Sequence, residues 1–264
     1  MIRQSTIDML KEMRFSGMAS ELERQLNNTD SYRDMPFEDR LAMLVEAEWN
    51  RRQSNKYQRC VHNARFAISE ATMEGIEYYE DRRLSKTQML QLSTCKYIEE
   101  GHHIILKGAS GNGKTYISNA LGEAACRKFL SVRYIRMPEL LDELGYAKSN
   151  NEFKKTVKTY RNVDLLILDE WLIRCLTPEE SYNLFEIIEA RTHHGATIFC
   201  TQFETDGWYK RINPDPDNDS PISEAIMDRI VHNAYQILVD GEKSAKIAAN
   251  RPCARSESAI FTEE

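Results

Sequence analysis

Glycine and proline are scarce in this chain, 11 and 7 of 264 residues, which excludes collagen-like and largely disordered classes. No run approaches the ~20 apolar residues needed to span a bilayer, so no membrane segment is expected. The start, Met1-Ile2-Arg3-Gln4-Ser5, lacks the apolar core of a signal peptide, and a cytoplasmic location is expected. The six cysteines (Cys60, Cys95, Cys126, Cys175, Cys200 and Cys253) include no C-x-x-C pair. That pattern points to reduced thiols rather than disulfides or zinc. Basic charge is not in excess either: 35 Lys+Arg face 41 Asp+Glu, a formal net charge of −6. Affinity for nucleic acid must then come from local clusters. What is present, 41% hydrophobic and 29% charged residues, suits one or two packed domains.

Two regions read differently. Residues 1–98 look all-helical, rich in Leu, Met, Glu, Arg and Gln. Pro36 followed by Phe37, Leu41, Leu44, Val45 and Glu48 gives a helix start and a stripe at spacings of three and four. Gly17 and Asn27-Asn28 are expected to interrupt an earlier helical stretch containing Ile7, Leu10, Met18, Leu22 and Leu26. Ser85 can cap a further helix carrying Met89, Leu90 and Leu92. From His102 onward, short apolar runs alternate with amphipathic helices. Strands are expected at 102–107, 132–136, 164–169, 196–202 and 235–239, and helices at roughly 114–129, 139–145, 178–194 and 222–232. Thr177-Pro178-Glu179-Glu180 supplies a cap, a first-turn proline and a capping box. Such alternation implies an α/β unit, a parallel sheet covered on both faces. The expected division is a helical domain over 1–98, an α/β domain over 99–246 and a loose tail over 247–264.

The strongest chemical signal lies at the first strand–helix junction. Gly108-Ala109-Ser110-Gly111-Asn112-Gly113-Lys114-Thr115 matches G-x-x-x-x-G-K-[ST] in full. Its glycines let successive N–H groups point at phosphate oxygens, and the helix that follows adds its dipole. Lys114 is expected to reach the β- and γ-phosphates of ATP, and the Thr115 hydroxyl to bind Mg²⁺. Next, Leu165-Leu166-Ile167-Leu168-Asp169-Glu170 delivers two carboxylates to the carboxyl end of a strand, where ligands bind in α/β sheets. Asp169 is placed to hold the metal and Glu170 to orient and polarise an attacking water. A second carboxylate favours hydrolysis over transfer to a small-molecule acceptor.

Further candidates are more diffuse. Gln202, at the tip of the fourth strand, can hydrogen-bond the γ-phosphate or the water. Arg229, late in a helix, is a candidate arginine finger for a neighbouring subunit, with pairing to Asp228 or a carbonyl as the structural alternative. Lys243 and Lys246 follow the last strand and can approach the phosphates. Two basic clusters suit DNA phosphates. Residues 49–69 hold Arg51, Arg52, Lys56, Arg59 and Arg65 with no acid; residues 148–161 hold Lys148, Lys154, Lys155, Lys158 and Arg161 with Glu152 the lone acid. Contacts of this kind give salt-dependent, largely sequence-independent binding. The alternative for both is a solvated helix face.

The G-A-S-G-N-G-K-T loop, L-L-I-L-D-E, a polar fourth-strand tip and the later Asp228-Arg229-Ile230 together resemble AAA+ ATPases. The helical prefix narrows the likeness: Phe37-Glu38-Asp39-Arg40-Leu41 and Leu44-Val45-Glu46-Ala47-Glu48-Trp49-Asn50-Arg51-Arg52 resemble the IstB transposition helpers, relatives of the DnaC helicase loaders. The resemblance implies a five-stranded parallel sheet of order 5-1-4-3-2, ATP and Mg²⁺ as cofactors, and an ATP-dependent homo-oligomer on duplex DNA. It further implies that a target site is delivered to the transposase of the same mobile element. A DnaC-like helicase loader and a nucleotide-gated DNA scaffold with little turnover are the alternatives. Two departures from the family stand out: Gln202 where Asn is usual, and Ser244-Ala245-Lys246 where Ser-x-Arg is common.

Overall fold

The first compact unit, residues 1–62, is built on α1 (Ile2–Glu12), α2 (Ser16–Asn27) and all but the end of α3 (Phe37–Ala64). The computed structural model describes residues 2–79, 82–213 and 221–240; the expected tail, Lys243 and Lys246 lie outside them. α2 ends at Asn27 as expected, but Gly17 sits inside this helix rather than between helices. The chain instead turns at Arg14, whose φ is +63°. A Cβ on Gly17 would stand 2.8 Å from the Ala47 carbonyl oxygen, so glycine here permits close approach of α2 and α3. The Gly17 N–H donates to Glu48 Oε2 at 2.8 Å.

The second unit begins at Asn63. It contains α4 (Lys86–Ser93), α5 (Lys96–Glu99), β1 (His103–Lys107), α6 (Lys114–Arg127), β2 (Val132–Arg136), α7 (Met137–Ser149), α8 (Phe153–Arg161) and β3 (Leu165–Asp169). α9 (Pro178–Arg191), β4 (Ala196–Thr201), α10 (Trp208–Ile212), α11 (Pro221–Val231) and β5 (Ala234–Leu238) complete it. The five strands are parallel in the order β2-β3-β4-β1-β5, which is 5-1-4-3-2 read from the other edge. Every residue of β3 and β4 is buried, as a sheet covered on both faces requires. The Thr177–Glu180 capping box forms at the start of α9, and Ser85 caps α4 by accepting from Gln88 N–H.

Several boundaries differ from the sequence reading. α7 runs well beyond 139–145 because Leu140, Leu141, Leu144 and Ala147 continue its buried face. α8 falls outside the expected helices, although Phe153, Val157 and Tyr160 recur at helical spacing as its apolar edge. The units divide at residue 62, whereas the sequence changes character near 98. Residues between those points pack on α6. A Cβ on Gly122 would meet Phe66 at 2.6 Å, and Asn119 Oδ1 accepts from Ile68 N–H at 3.2 Å. No helix among the described residues is long and apolar enough to cross a membrane.

Candidate nucleotide-binding site

The loop between β1 and α6 takes the shape its glycines allow. Gly111 and Gly113 have φ of +84° and +85°, a region open to glycine at no steric cost. A Cβ on Gly108 would fall 2.0 Å from the Val239 carbonyl oxygen, so the loop presses directly on the exit of β5. Asn112 reinforces that contact by donating to the same carbonyl at 3.1 Å. Lys114 opens α6, and its Nζ donates to the Gly108 and Ala109 carbonyl oxygens, both at 2.8 Å. Burial draws its pKa below the usual lysine value. Backbone N–H groups at the head of a helix, with a lysine beside them, form an anion cradle.

Asp169 ends β3 and lies directly against the loop. Its Oδ2 accepts from the Thr115 hydroxyl at 2.6 Å and the Tyr134 hydroxyl at 3.0 Å, while Oδ1 accepts from Glu170 N–H at 2.8 Å. An alcohol and a carboxylate in contact are the hard oxygen donors that Mg²⁺ takes beside substrate phosphates, so the residues fit that ion. Glu170 has φ +54°, an unusual region for a side chain of its size. The next residue explains the turn: Trp171 is fully buried against Phe199 and Trp208, at ring distances of 4.6 and 5.5 Å. Its backbone N–H donates to the Cys200 carbonyl at 2.8 Å. Driving Trp171 into the core turns Glu170 outward, where Arg136 approaches it at 3.7 Å.

These groups line one cleft of about 560 Å³, together with Gln202, which follows the end of β4. Another part of the wall comes from residues the motifs do not mark, among them Ile68, Tyr79 and Arg82. Arg82 donates to the loop carbonyl of Asn112 at 3.0 Å and to the Glu77 carbonyl at 2.6 Å. The Tyr116 hydroxyl accepts from Thr72 N–H at 3.4 Å, tying this segment to α6. Nothing in periodicity or spacing announces that wall.

Arg229 does not line the cleft. It sits on α11 with Nη2 2.5 Å from Glu189, donates to the Ala225 carbonyl at 2.9 Å, and lies over the Phe185 ring. Asp228 approaches His232 instead. In the first basic cluster, Arg51 and Arg52 pair with the buried Glu48 at 3.1 and 2.7 Å, and Arg52 stacks on Phe15. Lys56 and Arg59 lie on the exposed side of α3. In the second cluster, Lys148 pairs with Glu179 and Lys155 with Glu152. Lys154, Lys158 and Arg161 follow one another at helical spacing along the exposed side of α8.

Comparison with known proteins agrees with this geometry. The family model described as IstB-like ATP binding protein matches residues 8–250. An insertion sequence ATP-binding protein of Sinorhizobium fredii is 31% identical over 243 residues, covering 92% of this chain and 96% of that protein. Another, of Pseudomonas fluorescens, is 32% identical over 202 residues, covering 76% and 87%. Among solved structures, the DnaC helicase loader superposes with a TM-score of 0.51 at 20% identity, covering 64% of this chain and 97% of that one. That last likeness concerns the fold alone. With the phosphate loop, the sheet order and the family model in agreement over most of its length, this chain belongs to the IstB-like ATP-binding protein family.

Proposed function

We propose that this protein is a Mg²⁺-dependent ATP hydrolase that assembles on duplex DNA as a homo-oligomer and assists a transposase in target-site selection and insertion. The observation that carries the reading is the meeting of the phosphate loop, the Thr115–Asp169 pair and Glu170 in one cleft. The relatives' role as insertion sequence ATP-binding proteins supplies the context. The N–H groups of residues 109–115 cradle the phosphates of ATP, and Lys114 leaves the loop carbonyls for the β- and γ-phosphates. Thr115 and Asp169 hold Mg²⁺, which when bound neutralises charge on those oxygens. Glu170 orients the attacking water and accepts its proton at a carboxylate oxygen. Gln202 hydrogen-bonds the γ-phosphate or that water. Arg229 exchanges Glu189 for the γ-phosphate of a neighbouring copy, where a cation stabilises the developing charge.

Duplex DNA runs along the exposed lysines of α8, with Lys148 adding a phosphate contact, and the helical unit offers Lys56 and Arg59 as separate phosphate contacts. Arg51 and Arg52, held on Glu48, contribute less. A helicase loader is the second reading, favoured only by the fold shared with the DnaC loader, and it predicts a preference for single strands.

Turnover and binding measured side by side test the proposal. Lys114→Ala should weaken ATP binding by about 10–100-fold or more, since it removes charge-assisted hydrogen bonds. Glu170→Gln should bind ATP normally and lose about 10²–10⁴-fold in turnover. Wild-type turnover in Glu170→Gln would overturn the assignment. Mixing Arg229→Ala with Lys114→Ala should restore part of the turnover when both join one oligomer; confirmed mixed assemblies without recovery would exclude Arg229 as the finger.

A further inference from the structure

Three donors from three parts of the chain fix Asp169: Glu170 N–H on Oδ1, and the hydroxyls of Thr115 and Tyr134 on Oδ2. The first belongs to the backbone. Thr115 is itself a cation ligand under the ATPase reading. Tyr134 is neither. It lies on β2, paired in register with Ile167, is only 8% exposed, and is not among the cleft-lining residues. Phenylalanine would fill the same space within the sheet, so what tyrosine adds is the hydroxyl. A buried hydroxyl needs a partner, and this one has the carboxylate 3.0 Å away.

The placement follows from strand geometry. Arg136 pairs with Asp169 across the β2–β3 ladder, and side chains two residues apart share a face of the sheet. Tyr134 therefore lies on Asp169's side, one step back along β2. A carboxylate's terminal torsion is broad and two-fold, so donors behind a metal ligand decide which oxygen it presents and in what direction. We propose that Tyr134 is a positioning residue for the metal-holding carboxylate, its hydroxyl keeping Asp169 aimed at Thr115. The inference rests on the ATPase reading and deepens it. Its consequence is selective: losing the hydroxyl weakens cation binding and leaves nucleotide binding without metal intact.

The test uses the full chain and Mn²⁺ as probe. Mn²⁺ binding in the presence of a non-hydrolysable ATP analogue is followed by electron paramagnetic resonance. Affinity for the same analogue is measured separately in excess chelator. Tyr134→Phe should raise the Mn²⁺ midpoint about tenfold, the low end for residues supporting a metal ligand, with chelated-analogue affinity unchanged. Tyr134→Leu, lacking both ring and hydroxyl, should shift the midpoint at least as far. Asp169→Asn should shift it further, and adding Tyr134→Phe to Asp169→Asn should have no additional effect, because the tyrosine acts through the carboxylate. A wild-type midpoint in Tyr134→Phe, beside a shifted one in Asp169→Asn, overturns the role of Tyr134 while sparing the metal site. Equal losses with and without metal reduce Tyr134 to a packing residue. An unshifted midpoint in Asp169→Asn removes the metal assignment itself.

Discussion

Glu48 in the helical unit and Asp169 in the α/β unit are almost equally buried, at 5% and 6% exposure, yet the protein treats them in opposite ways. Burial alone would raise the Glu48 pKa, but hydrogen bonds from Arg51, Arg52 and Gly17 N–H bring it down to about 2. Asp169 instead accepts from the hydroxyls of Thr115 and Tyr134 and from Glu170 N–H, all neutral donors. A buried carboxylate matched by its own cations is part of the scaffold, and breaking the match leaves an uncompensated charge. A carboxylate held by neutral donors keeps its negative charge available to a ligand cation. The same contrast runs within the basic clusters, since Arg51 and Arg52 answer Glu48 and Lys155 answers Glu152 whereas Lys154, Lys158 and Arg161 lie on the exposed side of α8.

Neutralising each carboxylate should separate function from stability. Asp169→Asn should lower ATP turnover by about 10²–10⁴-fold while denaturant unfolding stays close to wild type. Glu48→Gln should do the reverse, costing the helical unit roughly 2–3 kcal/mol through lost charge-assisted hydrogen bonds and leaving turnover per folded molecule intact. If Glu48→Gln cuts turnover as deeply as Asp169→Asn, the contrast fails.

Acid should divide the units in a definite order. His103 is buried at the start of β1, accepts from Thr197 N–H at 3.2 Å, and burial lowers its pKa to about 4. Its folded pKa lies below the unfolded value of about 6.5. The stability it contributes, roughly 3 kcal/mol, is therefore full above that value and lost as pH falls toward 4. Glu48, with a folded pKa of about 2, contributes fully above about 4.5 and is lost only as pH falls from there. The α/β unit should thus loosen first on acidification, which residue-resolved hydrogen exchange between pH 7 and 4 can follow. Earlier loosening of the helical unit would contradict both assignments.

The smallest effect concerns DNA. Neutralising Lys154 and Lys158 should flatten the plot of log affinity against log salt by about 0.9 per lost duplex contact. Arg51→Ala should change that slope less and lower stability instead. A slope that responds to Arg51 and ignores α8 would transfer the DNA face to the helical unit.

The resemblance already implied the sheet order; the structure supplied the contacts that aim the groups. The phosphate loop, the Asp169-Glu170 pair, the strand–helix alternation and the Thr177–Glu180 cap were legible because each is written within a few neighbouring residues. Their chemistry and periodicity are local, so the chain carries them wherever it folds. α8 is only nine residues long, and its apolar edge of Phe153, Val157 and Tyr160, though at helical spacing, lies in a segment whose lysines and arginine read first as a basic cluster. The wall of Ile68, Tyr79 and Arg82, the hydroxyl of Tyr134 on Asp169, and the capture of Arg51 and Arg52 by Glu48 depend on packing. So does the outward turn of Glu170, which exists because Trp171 must be buried against Phe199 and Trp208. The sequence by itself determined which groups could bind a nucleotide. Tertiary structure decided which charges are matched internally and which remain for a ligand, because desolvation and hydrogen bonding depend on what the fold brings within a few ångströms.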